Sequence, residues 1–133
     1  MSARLVMLQK PDGYWPVSLL APPAGTPPET SGTAFFTLGL AYGVKSGLLA
    51  EPVYRRAATA GWTALERAVH PDGRLGWVQP IGAAPDSVSA DDTQPYGVGA
   101  FLLAGAARYD LARADARGAE CDMNHSCRGQ ELR

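Results

Sequence analysis

The chain has 133 residues, about one domain at roughly 150 residues per domain. Hydrophobic residues make up 46% and charged residues 19%, which is enough apolar material for a core and too little charge for a disordered chain. The net charge is −1, from 12 Lys and Arg against 13 Asp and Glu, so nucleic-acid binding is not expected. No apolar run approaches the ~20 residues of a membrane span and no signal peptide is visible. The expected location is therefore cytoplasmic, unless a longer N-terminus carries a signal.

The chain starts with the end of a helix, predicted over residues 1–10. A proline-rich loop follows, where no helix is expected because proline lacks an N–H and clashes with the preceding turn. The second helix is predicted over residues 33–45, with the hydroxyl of Thr30 or Ser31 capping its free N–H groups. Gly47 stands where a left-handed residue commonly ends a helix.

Two further helices complete the predicted all-α chain. The third covers residues 52–69, because Pro52 suits a first helical turn and apolar residues recur at helical spacing. The fourth covers residues 96–114 and is apolar nearly all round, which is typical of a helix inside a larger body. The sequence then turns polar and loses its period. Residues 1–117 are therefore predicted as the folded domain and residues 118–133 as a disordered tail.

A unit of helix, Pro-Asp-Gly turn, tryptophan-bearing loop and acid–threonine pair occurs twice. The turns Pro11-Asp12-Gly13 and Pro71-Asp72-Gly73 are 60 residues apart, and the pairs Glu29-Thr30 and Asp92-Thr93 are 63 residues apart. A period of this size indicates helical hairpins, which bury their apolar faces by stacking and need roughly three or more units for stability. Since about two units fit here, we expect a partner: a preceding segment of the same fold, or a second copy of the chain.

Two stretches around these repeats resemble a known family. The first is Asp12-Gly13-Tyr14-Trp15 with Pro28-Glu29-Thr30-Ser31-Gly32-Thr33-Ala34-Phe35-Phe36, and the second is His70-Pro71-Asp72-Gly73, Trp77-Val78-Gln79-Pro80 and Ser89-Ala90-Asp91-Asp92-Thr93-Gln94-Pro95-Tyr96-Gly97. They are similar to the C-terminal part of the unsaturated rhamnogalacturonyl and unsaturated glucuronyl hydrolases, glycoside hydrolase families 105 and 88. The resemblance covers about residues 5–109.

The resemblance implies an (α/α)6 toroid of six helical hairpins, of which this chain would supply two to three. It also implies a substrate, the 4,5-unsaturated uronic acid at the non-reducing end of lyase-generated oligosaccharides of the pectin and rhamnogalacturonan type. In the family an aspartic acid protonates the vinyl-ether double bond, water adds at C5, and the hemiketal opens to release the sugar, without metal or organic cofactor.

The family's catalytic aspartates lie in its N-terminal half, as does a Trp-x-Arg-Gly-x-Gly-Trp segment that helps to hold the uronate. Neither has a counterpart in this sequence. We therefore carry over no catalytic residue, and we expect the chain alone to be inactive.

The candidate substrate-binding residues lie at two helix starts and in the loops before them. Six of them either orient sugar hydroxyls or cap the following helix: Glu29, Thr30, Ser31, Asp91, Asp92 and Thr93. Asp91 and Asp92 are adjacent, so on a helix they would point apart and would not form a paired acid and base. Trp15 and Trp77 either stack on sugar rings or hold their loops against the helices.

A metal site is not expected. Cys121, His125 and Cys127 supply only three ligands, at a spacing that matches no usual zinc pattern.

Two other classes of function stay open. One is a stand-alone saccharide-binding or interaction module without catalysis, which would bind a saccharide without turning it over. The other is a helical toroid of a different activity, since a fold alone does not determine a function.

Overall fold

The computed structural model describes residues 1–20, 26–50, 52–82 and 87–128, the stretch 118–128 by its backbone alone. Over these residues the chain forms four α-helices and no strand: α1 (Ser2–Met7), α2 (Thr30–Lys45), α3 (Pro52–Arg67) and α4 (Pro95–Arg128). The predicted all-α class is confirmed. None of the described helices is both long and apolar enough to cross a membrane.

The start of α2 differs from the sequence prediction. α2 begins at Thr30 rather than near residue 33, because the carboxylate of Glu29 accepts hydrogen bonds from the N–H groups of Ser31 and Gly32. The predicted capping by the hydroxyl of Thr30 or Ser31 is therefore wrong. At the other end, Gly47 has φ of +74°, as expected for the residue that follows a helix.

The end of α4 also differs. The helix continues to Arg128, so the predicted end near residue 114 is wrong. After residue 114 the sequence still contains Ala, Arg, Glu and Met. These residues favour helix even where no apolar period marks a buried face. The division of a domain over 1–117 from a tail stays a prediction, and residues 129–133 lie outside the described part of the chain.

α2 and α4 lie side by side and run in the same direction. Near their starts the Tyr96 hydroxyl lies 3.3 Å from Ser31 Oγ. Further along, Lys45 Nζ lies 2.6 Å from Asp110 Oδ2. α3 runs the opposite way, since its start shares a core cluster with the end of α2 and its end shares one with the start of α2 (Ala57 with Ala41, and Leu65 with Ala34). This is the packing of stacked helical hairpins.

The two Pro-Asp-Gly turns share one backbone geometry. In each turn the aspartate Oδ1 accepts the N–H two residues later, at 3.1 Å for Asp12 and 3.0 Å for Asp72. Each glycine has a positive φ, +92° at Gly13 and +86° at Gly73. Each turn also closes with a 2.8 Å hydrogen bond from the N–H before the proline to the carbonyl after the glycine. The repeat predicted from the sequence is confirmed at both turns.

Gly13→Ala and Gly73→Ala form a matched pair of tests. Both place a side chain at positive φ, which costs about 1–2 kcal/mol. A Cβ at residue 13 would also collide with the carbonyl of Ala60 and lie 3.1 Å from Ala64 Cβ, whereas a Cβ at residue 73 has no neighbour within 4 Å. Urea unfolding of the 133-residue chain should therefore show the larger loss of stability for Gly13→Ala. Equal losses would contradict the close docking of the first turn on α3.

Tyr14→Phe tests the buried hydroxyl that joins the first loop to α3. The Tyr14 hydroxyl donates to the Ala64 carbonyl at 2.6 Å, so its removal should cost about 1 kcal/mol at neutral pH. Burial raises the pKa of Tyr14 above its usual 10.0; Arg67 lowers it and Asp12 raises it by smaller amounts. Because the folded-state pKa is the higher one, this stabilisation is complete below about pH 10 and is lost as the pH rises through the folded-state pKa. The difference in unfolding free energy should shrink at alkaline pH; a constant difference would contradict the buried hydrogen bond.

Candidate functional site

A pocket of about 460 Å³ opens at the N-terminal ends of α2 and α4, against the segment 79–82. Its wall combines polar and apolar side chains: Glu29, Ser31, Gln79 and Tyr96 with Val17, Phe35, Pro80 and Ile81. Of the eight substrate-binding candidates from the sequence, only Glu29 and Ser31 line it.

Glu29 is only 5% exposed, and its carboxylate is surrounded by donors. Its Oε1 accepts from the Ser31 N–H at 2.8 Å, from the Ser31 hydroxyl at 2.5 Å and from the Gln79 N–H at 3.3 Å. Its Oε2 accepts from the Gly32 N–H at 2.7 Å. The negative charge also lies at the positive end of the helix dipole. Glu29 is therefore a fixed acceptor that begins α2 and anchors the facing segment.

Tyr96 connects the remaining polar parts of the pocket. Its hydroxyl donates to the Gln79 carbonyl at 2.5 Å and lies 3.3 Å from Ser31 Oγ. Gln79 is thus held through its N–H by Glu29 and through its carbonyl by Tyr96. The start of each parallel helix supplies one of these two contacts.

Thr30 is fully buried and faces away from the pocket. Its hydroxyl donates to the Gly76 carbonyl at 2.9 Å, and its N–H donates to the Trp77 carbonyl at 2.9 Å. Both contacts hold α2 to the chain that leads into the segment 79–82. Thr30 supports the site without lining it.

Neither candidate tryptophan lines the pocket. Trp15 is 1% exposed, donates from Nε1 to the Leu5 carbonyl at 2.8 Å, and packs edge-on against Phe36 with ring centroids 5.5 Å apart. It has no free ring face for a sugar to stack on. Trp77 is half-buried and packs on a core cluster. Both rings pack as the loop-holding alternative expects.

The second acid–threonine pair has a different role from the first. Asp92 Oδ2 accepts from the Ser89 N–H at 2.7 Å and from the Ser89 hydroxyl at 2.9 Å, so it closes a local turn instead of capping α4. Asp91 is exposed and pairs with Arg74 at 3.1 Å. Thr93 is exposed as well. The capping interpretation of Asp91 and Asp92 is wrong, because α4 begins only at Pro95.

The sequence did not single out Gln79, Tyr96 or Phe35 as site residues. All three belong to the stretches that carried the family resemblance, which was the available signal. Among the residues with described side chains, no group of three or more potential metal ligands comes together. The side chains of Cys121, His125 and Cys127 lie outside that part of the chain.

Comparison with known proteins agrees with the resemblance. The family model described as Glycosyl Hydrolase Family 88 matches residues 1–112. Two curated relatives, from Alteromonas sp. (strain LOR) and Formosa agariphila, are each named Unsaturated 3S-rhamnoglycuronyl hydrolase. The chain is 50% identical to the first over 100 residues, which is 75% of this chain and 24% of the relative. It is 49% identical to the second over 105 residues, which is 79% of this chain and 28% of the relative. The chain therefore spans about a quarter of their length.

Solved structures show the same fold. A protein described as glycosyl hydrolase family 88 from Bacteroides vulgatus superposes with a TM-score of 0.75 at 37% identity, over 84% of this chain and 33% of its own. A protein described as a polysaccharide lyase superposes with a TM-score of 0.74 at 42% identity, over 86% of this chain and 33% of its own. The predicted fold is confirmed: two to three of the six helical hairpins of an (α/α)6 toroid.

Glu29→Ala tests the role of Glu29 as the cap of α2. Loss of the helix cap should lower the unfolding free energy by about 1–2 kcal/mol, since the N–H groups of Ser31, Gly32 and Gln79 lose their acceptor. Asp91→Ala is the matched control, because Asp91 is exposed and makes only a surface ion pair. Chemical unfolding of both variants measures the difference. A Glu29→Ala protein as stable as the control would contradict the capping role.

Proposed function

We propose, since the chain belongs to glycosyl hydrolase family 88, that its pocket forms part of the saccharide site of an enzyme that removes 4,5-unsaturated uronic acid from oligosaccharides. The main support for this proposal is the polar floor of the pocket, which Glu29, Ser31 and Tyr96 form at two parallel helix starts. A wall of apolar side chains faces this floor. Saccharide sites need both, because a sugar presents hydroxyls at its edge and C–H groups on its faces.

The proposed reaction is hydration of a vinyl ether. An acid adds a proton to C4 of the 4,5 double bond, and water adds its oxygen to C5 while losing a proton to a base. The product is a hemiketal at C5, whose C5–O5 bond breaks to give a ketone at C5 and a hemiacetal at C1. That hemiacetal then breaks its C1–O bond to the neighbouring sugar, which leaves as an alcohol while C1 becomes an aldehyde. Since no catalytic residue is carried over to this chain, we assign its described residues to substrate binding and leave the proton transfer to another part of the enzyme.

The negative charge at the pocket floor favours binding of an uncharged part of the substrate there. Glu29 is an anion, so a uronate carboxylate placed beside it would be repelled. Hydroxyl groups can instead donate to the carboxylate or pair with the Ser31 hydroxyl. We therefore place the sugar next to the uronate in this pocket, and the uronate carboxylate outside it.

The names of the two relatives, each Unsaturated 3S-rhamnoglycuronyl hydrolase, support a rhamnose-type neighbouring sugar. Elimination across C4 and C5 removes the configuration at both carbons, so glucuronate and galacturonate give the same unsaturated residue. Two such substrates therefore differ in the neighbouring sugar and not in the unsaturated residue. We propose rhamnose there, which also agrees with the rhamnogalacturonan type expected from the sequence.

The test is a titration of the 133-residue chain with an unsaturated uronyl–rhamnose disaccharide. We expect calorimetric binding without loss of the ultraviolet absorbance of the double bond. Ser31→Ala should weaken binding about five- to tenfold, the value of one lost hydrogen bond. Ser46→Ala is the matched control, because this serine bonds the carbonyl of Tyr42 at the far end of α2.

The outcomes separate the two classes of function. Absence of binding, or equal binding by the two serine variants, would contradict the proposed site. Turnover by the chain alone would contradict the assignment of proton transfer to another part of the enzyme. Binding without turnover would favour the stand-alone binding module if it is seen both with this chain and with a longer protein that includes this chain.

A further inference from the structure

The pocket has an apolar side that its hydrogen-bonded floor does not explain. Phe35 follows Ser31 by one turn of α2 and is 49% exposed. Ile81 follows Gln79 in the segment 79–82 and is 82% exposed. Single exposed apolar residues are common on proteins. Here two of them line one pocket, together with Val17 and Pro80.

The wall that carries Ile81 is held in place. The Gln79 N–H donates to Glu29 and the Gln79 carbonyl accepts from the Tyr96 hydroxyl, so both sides of this peptide segment are fixed two residues before Ile81. Pro80 stiffens the connection, since its ring fixes φ. The apolar side is therefore built into the same framework as the polar floor.

We propose that Phe35 and Ile81, with Val17 and Pro80, bind the C6 methyl group of a 6-deoxy sugar and select it over a sugar with a hydroxyl at C6. This inference rests on the proposed function and names the feature by which the neighbouring sugar is recognised. A methyl group gains from contact with an apolar wall, whereas a hydroxyl there gives up hydrogen bonds to water. The polar groups of the floor hold the ring hydroxyls and so direct C6 toward the wall.

The test compares two disaccharides that differ by one atom. Each carries the 4,5-unsaturated uronic acid, linked to L-rhamnose in one and to L-mannose in the other; L-mannose is L-rhamnose with an added C6 hydroxyl. Calorimetric titration of the full chain should give a Kd about tenfold lower for the rhamnose compound, the discrimination expected for a small group in an apolar pocket.

Variants locate the discrimination. Ile81→Ser and Phe35→Ser should each reduce the tenfold ratio of Kd values to about two. Leu102→Ser is the matched control, because Leu102 is 63% exposed on α4 and does not line the pocket. The control should keep the full ratio. All three residues are exposed, so thermal unfolding should confirm that each variant remains folded.

Two results would overturn this inference alone. They are equal Kd values for the two disaccharides with the unaltered chain, and an undiminished ratio in both pocket variants. Either leaves the proposed saccharide site intact, because the chain still binds the uronyl disaccharide. Binding of neither disaccharide would overturn the proposed function, and this inference with it.

Discussion

The capping of α2 by the Glu29 carboxylate is the interaction on which the pocket depends. Four hydrogen bonds converge on its two oxygens, three from the first turn of α2 and one from the Gln79 N–H of the facing segment. A helix start leaves its first N–H groups unpaired, and an anion there is stabilised by these groups and by the helix dipole. One side chain therefore begins the helix, positions the opposite wall and supplies the charge of the pocket floor.

The two hairpins share their turns but differ at their helix starts. Glu29 immediately precedes α2, whereas Asp92 lies three residues before Pro95, the first residue of α4. At that distance the shorter carboxylate closes its own turn with Ser89. Tyr96 occupies the start of α4 and bonds the Gln79 carbonyl instead. The two repeats have thus diverged, so that the pocket lies between two helix starts of different chemistry. In a strict repeat the two helix starts would be equivalent.

The sequence predicted the parts that local chemistry determines. The Pro-Asp-Gly turns need only a short aspartate and a glycine at positive φ, and both formed as expected. It left open the parts that depend on distant contacts: nothing local distinguishes a buried Trp15 from a sugar-stacking one, because its burial comes from packing on α1 and α2. The site was predicted in part, since Glu29 and Ser31 are local to one helix start. Gln79 reaches the pocket only through long-range hydrogen bonds.

The proposed saccharide site is tested most directly by a crystal structure of the chain with an unsaturated uronyl–rhamnose disaccharide. We expect rhamnose hydroxyls within hydrogen-bond distance of Glu29 or Ser31, with the C6 methyl between Phe35 and Ile81 and the uronate carboxylate directed away from Glu29. A disaccharide bound elsewhere on the chain, or bound here with its carboxylate against Glu29, would contradict the proposed site.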